Sequence, residues 1–223
     1  MKSQLFYSGA YETIEGKIKS FLNEQPDFLN ASTIGSPRAT GDAIQSILES
    51  NFENIIGDYC KTYSQGFARR AMADLAFIDQ EDLYYVVDVK THRLETKFNM
   101  PNITSVERLA RFYEDDKNHF VVLMIAYNID LGVKIKVEKV CFIPIEFLSW
   151  DCLTLGALGW GQIQIANANN IIIEQRCSRK KWMLELCDTL FEFYPREIGK
   201  IQHRISYFEK IKKQWEEKND VWI

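Results

Sequence analysis

Between residues 72 and 92 the chain adopts the two-residue period of β-structure. Two runs rich in β-branched and aromatic residues, MADLAFID and LYYVVDVKTH, flank the polar break QED, the pattern of a β-hairpin. Alternation along the second run sends Val87 and Val89 to one face and Asp88 and Lys90 to the other, about 6 to 7 Å apart along the strand. A carboxylate and an ammonium on a buried strand are costly to desolvate unless they pair or meet a metal. Asp74 starts the first run fourteen positions before Asp88, so an antiparallel return brings two carboxylates together. Two convergent carboxylates repel unless a cation lies between them, and an oxygen-only site suits a hard ion such as Mg²⁺. A solitary D-x-K on a strand is more often an exposed ion pair. Here the second carboxylate in the preceding strand adds to it.

The flanks agree with an α/β domain. Ile14, Ile18, Phe21 and Leu22 recur at helical spacing over residues 10–23, before the turn-forming Pro26. A polar stretch, Ser32 to Gly41, leads into DAIQSILESNFENIIGDY, where Ile44, Ile47, Leu48, Phe52, Ile55 and Ile56 recur on one face of a second helix. After the hairpin, Pro101 and Thr104-x-x-Glu107 carry helix-start chemistry ahead of SVERLARFYED, and HFVVLMIAYNI and KIKVEKVCFIPI read as core strands. The Gly-rich LGALGWGQIQIANANNIII has short strand character, and two helical segments, RKKWMLELCDTLFEFY and IGKIQHRISYFEKIKKQWEEK, complete the chain. No Pro/Gly/Ser linker interrupts it. The expectation is one α/β domain over 1–223, a mixed β-sheet flanked by helices with a helical C-terminal part.

Bulk properties narrow the partners. The net charge of −4 does not advertise nucleic acid, although phosphate contacts depend on where Lys and Arg cluster. Five cysteines, Cys60, Cys141, Cys152, Cys177 and Cys187, show no C-x-x-C pair or metal-ligand spacing and read as reduced thiols. The N-terminal residues lack the apolar stretch of a signal peptide, and the longest apolar run, Phe120 to Tyr127, is too short to span a bilayer. The expectation is a cytoplasmic protein with no membrane partner. His92, His119 and His203 have no zinc-enzyme spacing, and neither G-x-S-x-G nor a P-loop is present.

The run ADLAFIDQEDLYYVVDVKTHRLETKFNMPNITSVERLA resembles the catalytic hairpin of type II restriction endonucleases of the PD-(D/E)xK superfamily, in their EcoRV-like branch. The elements that carry the resemblance are the A-D strand, D-V-K-T and P-N-I-x-S-x-x-x-L-A, with weaker similarity in RATGDAIQSIL, GQIQIA and the SRKKWMLEL helix. The resemblance implies the restriction-endonuclease-like fold and Mg²⁺-dependent, sequence-specific hydrolysis of double-stranded DNA. It further implies Asp74 and Asp88 as metal-binding carboxylates, the Val89 carbonyl as a further metal ligand and Lys90 as the catalytic lysine. Ala73 stands where the superfamily name has proline. Because one active site per chain must cut both strands of a palindrome, a homodimer is expected.

The same resemblance puts Asn99, Met100 and Asn102 in a loop facing DNA. Helix-start and turn chemistry at Pro101 and Asn102 accounts for this stretch without DNA as well. In GWGQIQIAN, alternation sends Gln162 and Gln164 to one face, and a glutamine amide suits adenine in the major groove. Trp160 is grouped with them as a DNA contact, and a core position fits it equally. The glycines at 156, 159 and 161 permit close backbone approach. Two other functions share these residues: a repair or junction-resolving nuclease of the same fold, and a DNA-binding module without activity.

Overall fold

The computed structural model describes residues 3–25, 35–63, 73–130 and 134–219. Pro26, residues 32–34 of the polar stretch and Met72 lie outside them. The chain divides into two compact units, Met1–Ser178 and Arg179–Ile223. The first is mixed α/β and holds every candidate catalytic and DNA-contacting residue.

Its helices are α1 (Gln4–Tyr7), α2 (Ala10–Glu24), α3 (Pro37–Ile56) and α4 (Val106–Phe112). Its strands are β1 (Thr62–Tyr63), β2 (Leu75–Ile78), β3 (Tyr84–Arg93), β4 (Asn102–Ser105), β5 (Asn118–Asp130), β6 (Lys134–Pro144), β7 (Leu153–Gly156) and β8 (Gln162–Ile165). A five-stranded sheet runs β1-β2-β3-β5-β6, and a three-stranded sheet runs β4-β8-β7. β3 pairs antiparallel with β2 and parallel with β5, and β6 closes antiparallel on β5. The larger sheet is therefore mixed, as expected.

The hairpin forms where the period places it, with Leu75 opposite Val87 and Ile78 opposite Tyr84. Its turn is set by Asp79, whose Oδ1 accepts from the Glu81 and Leu83 amides at 2.9 Å, while Asp82 takes φ +59°, a left-handed conformation that aspartate tolerates better than most residues. Asp79 Oδ2 also accepts from the Tyr85 hydroxyl at 2.8 Å, and the Tyr85 ring stacks on Phe77 at 4.6 Å. The hairpin is thus tied down at the end remote from Asp74.

Helix α3 begins at Pro37, earlier than the apolar period suggests. Ser36 supplies the N-cap, its Oγ accepting from the Ala39 amide at 3.3 Å, and Pro37 takes the first-turn position where no N–H is needed. Gly41 then lies against β3: a Cβ there would stand 2.8 Å from Thr91 Oγ1. The absent side chain lets α3 cross β3 closely, with Ile44, Leu48 and Phe52 fully buried.

Helix α2 meets β6, which is an edge of the sheet. Glu15, Lys19 and Asn23 recur every four residues and reach its free backbone groups. Glu15 accepts from the Phe142 amide at 2.7 Å, Lys19 donates to the Glu138 carbonyl at 2.8 Å, and Asn23 bonds both the amide and the carbonyl of Val137. The edge is thereby covered against strand addition.

Two sequence expectations are corrected. Residues 102–105 form strand β4, and the helix that follows is capped by Ser105, whose Oγ accepts from Arg108 N at 3.1 Å, in place of the box Thr104-x-x-Glu107. Pairing with β8 consumes the segment that Pro101 seemed to open as helix. The two C-terminal helical segments form one helix, α5 (Arg179–Glu216), with Pro195 inside it. Proline removes one helical donor, and Arg196 Nε donates to the Glu192 carbonyl at 2.9 Å, one turn back. Among the described residues no helix is long and apolar enough to cross a membrane.

Candidate active site

The register closes at Leu75↔Val87, and just before it the Asp74 amide also donates to the Val87 carbonyl at 3.1 Å, which brings Asp74 to the stretch of β3 that carries Asp88. Asp74 stands in the bend just before the strand. There its Oδ2 accepts the Val89 amide at 2.7 Å. A strand residue's N–H and C=O point to the same edge, so the Val89 carbonyl faces the gap beyond β2 in which Asp74 lies. Asp88 and Lys90 occupy the face expected from alternation and meet as an ion pair, Lys90 Nζ to Asp88 Oδ1 at 2.7 Å, with side chains 11% and 22% exposed respectively.

The pair leaves half of Asp88 unsatisfied. Oδ2 is buried and has no hydrogen-bond partner among the described residues. Burial pushes the Asp88 carboxyl up to about 7; the Lys90 ammonium opposes this and Asp74 adds to it. Burial also raises Asp74, partly countered by the Val89 amide and by Lys90. A buried carboxyl with an orphaned acceptor and a half-buried one near it form a site that favours a cation.

Helix α3 contributes residues that sequence reasoning missed. The Gln45 amide hydrogen-bonds Asp74, and the charge of Glu49 raises it further. Gln45 Nε2 also donates to Glu49 Oε1 at 2.9 Å, one turn along the helix. Their signal was present as a polar i, i+4 pair beside the buried Ile44 and Leu48. Nothing in the sequence alone says that this flank meets the end of β2.

The oxygen donors available to a hard cation are Asp74, Asp88 and the Val89 carbonyl. Among the described residues no group of three or more His, Cys, Asp and Glu side chains is arranged to hold a metal ion. Two carboxylates and a carbonyl nevertheless fit Mg²⁺, which keeps several waters and shares its shell with substrate phosphate. The orphaned Asp88 Oδ2 is the observation that favours this fit.

The segments expected to face DNA come together on the smaller sheet. Asn102 pairs with Gln164 and Ser105 with Gln162, and Gln164 Nε2 donates to Asn102 Oδ1 at 2.5 Å. Gln162 and Gln164 are half-buried while Ile163 and Ile165 are fully buried, as alternation requires. A Cβ at Gly156 would come 2.8 Å from Gln164 Oε1, so any larger residue there would push the Gln164 amide aside. Gly159 and Gly161 take φ +60° and +117° in the turn that carries Trp160, and at 62% exposure Trp160 is outside the core. Met100 is exposed as well.

Asn99 differs from these. Its amide turns inward to His92 Nδ1 at 3.3 Å, and its carbonyl accepts from the Ala168 amide. His92, two residues beyond Lys90 on the same face, also pairs with Asn169 Oδ1 at 2.8 Å. Asn169 Nδ2 in turn donates to the Thr96 and Lys97 carbonyls. The loop between β3 and β4 is thus fastened to β3 by His92 and Asn169, neither of which the spacing of the sequence singled out.

Comparison with known proteins leaves the family open: no family model and no curated protein matches this chain.

Proposed function

We propose that this chain is a cytoplasmic type II restriction endonuclease with the restriction-endonuclease-like fold, hydrolysing phosphodiester bonds of double-stranded DNA at a specific sequence with Mg²⁺. The observation that carries the reading is the approach of Asp74 to Asp88 at the end of the hairpin, with Asp88 Oδ2 buried and unsatisfied and Lys90 on the same face. An ordinary structural ion pair has no need of the second carboxylate. The resemblance of DVKT and PNI to the PD-(D/E)xK enzymes agrees with it.

Bound Mg²⁺ would neutralise charge on the scissile phosphate and acidify water beside it. Asp74 and Asp88 would hold the cation through carboxylate oxygens, helped by the Val89 carbonyl, and Lys90 Nζ would orient the attacking water. Gln45, itself bonded to Glu49, holds Asp74 from α3. Cleavage leaves 5′-phosphate and 3′-hydroxyl ends. Two copies, each reading one half-site, would cut both strands.

Digestion of a sequenced plasmid with Mg²⁺, followed by end mapping, tests the reading. Discrete bands from ordinary duplex are expected. A smear, or cleavage confined to branched DNA, would point to a repair or junction-resolving nuclease, and an intact plasmid to a binding module. The ends should be blunt, because the loop from Leu94 to Asn102 matches in length that of enzymes that cut at the centre of their site. Run-off sequencing of both strands decides this, and a stagger of two or more nucleotides would refute it.

Selectivity should reside in the smaller sheet. Gln162→Ala or Gln164→Ala is expected to reduce the preference for cognate over scrambled duplex by about 10-fold or more, one lost bidentate base contact being worth roughly 1 to 3 kcal/mol. Binding to the two duplexes in Ca²⁺ reads it. Equal weakening on both would show that this strand contacts phosphate alone.

A further inference from the structure

The helix α5 of the second unit carries an apolar row left open to water among the described residues. From Phe191 the large apolar residues fall alternately three and four apart: Phe191, Tyr194, Ile198, Ile201, Ile205 and Phe208, with Lys212 and Trp215 continuing the register. That is the a/d spacing of a heptad repeat, sustained for about three and a half heptads, with Phe191, Ile198, Ile205 and Lys212 at a. Phe191 is 74% exposed, Phe208 63%, Trp215 64% and the three isoleucines 50 to 56%. Monomeric proteins rarely leave a contiguous apolar stripe of this kind exposed.

We propose that this stripe pairs with the same stripe of a second copy of the chain, as a parallel two-stranded coiled coil. Charge selects both the partner and its direction. The e positions, Gln202, Glu209 and Glu216, are neutral or acidic, whereas the g positions after Leu190 are Glu197, Arg204 and Ile211. Antiparallel helices set e against e and would bring the acidic row onto itself. Parallel helices set g against the e five residues later on the partner, which matches Arg204 with Glu209 twice across the two-fold axis. The lysine at the a position Lys212 favours two strands, since a long cationic side chain reaches water from a two-helix seam.

The area is sufficient. Aromatic side chains bury ~150–250 Å² each when fully covered. The three aromatics and three isoleucines that are half or more exposed supply much of the roughly 800 Å² per partner that a standard interface removes from water. Pro195 is at an e position, on the flank of the seam. The inference uses only the helix and holds whether or not the chain cuts DNA.

Sedimentation or light scattering on the full chain, without DNA or metal, tests it. The expected mass is twice the 26.1 kDa of one chain. Ile201→Lys with Ile205→Lys should raise the dissociation constant by at least ~100-fold, as substitution at the centre of an interface does. These side chains are exposed in one copy, so the first unit should stay folded, which near-ultraviolet circular dichroism reads. As a milder pair, Arg204→Glu should weaken the dimer several-fold, and adding Glu209→Arg should restore it. A chain that is monomeric throughout the micromolar range overturns the proposal. So does a dimer indifferent to the lysine substitutions, and failure of the charge swap to rescue overturns the parallel pairing.

Discussion

Alanine in place of Asp88 or Lys90, and asparagine in place of Asp74, should each lower the rate of DNA cleavage by a thousandfold or more, while binding to cognate duplex in Ca²⁺ survives. A thousandfold is about 4 kcal/mol of transition-state stabilisation, the scale of losing a metal ligand or the group that prepares the nucleophile. Asparagine is chosen at position 74 because Asp74 also accepts the Val89 amide, and alanine would leave that donor unpaired at the end of the hairpin. Single-turnover cleavage at saturating Mg²⁺ separates chemistry from binding. Near-normal turnover in any one folded variant would remove that residue from the proposed core.

Removing the charge of Asp88 should have the opposite effect on stability. Burial lifts this carboxyl from its ordinary 3.8 to about 7, so between those values the folded protein binds a proton that the unfolded chain does not. Stability from the neutral form is therefore complete below about pH 4, is lost as pH rises towards 7, and is absent above it. An asparagine at this position has no charge to bury. In metal-free buffer Asp88→Asn should match the parent near pH 4 and exceed it at pH 8 by on the order of a few kcal/mol. Urea unfolding at the two pH values in a chelator measures this. A stability difference independent of pH would mean that the buried carboxyl is not strained. Excess Mg²⁺ should then stabilise the parent and leave the Asp88→Asn variant unchanged, by about 2.7 kcal/mol at a hundred times the dissociation constant.

These two results together would show a site kept at a cost. The carboxylate that opposes folding in metal-free protein is the one that cleavage requires, the common relation between stability and function at buried ionised groups.

Local chemistry made much of this protein legible in its sequence. Strand alternation put Asp88 and Lys90 on one face, the fourteen-residue interval returned Asp74 to Asp88, and the Q-I-Q-I pattern separated Gln162 and Gln164 from the buried isoleucines. Each is a consequence of period and short connections, which neighbouring residues dictate. Helix ends were less legible. Ser105 capped its helix in place of the Thr104 box, because capping depends on where the chain is already extended and strand β4 is extended through its pairing with β8, and Ser36 started α3 earlier than the apolar period suggests.

Tertiary contact decided the rest. Only the crossing of α3 over β3, made close by Gly41, brings the Gln45 and Glu49 flank to Asp74, and only the β4–β8 pairing joins Asn102 to Gln164 across 62 residues. The inward turn of Asn99 towards His92 is likewise set by partners distant in sequence. Burial itself belongs to this level: the residue type makes Asp88 acidic, but exclusion of water by the sheet and its coverings moves the carboxyl to about 7. Periodicity is written along the chain and can be read from it, whereas desolvation and long-range pairing exist only once distant segments have met.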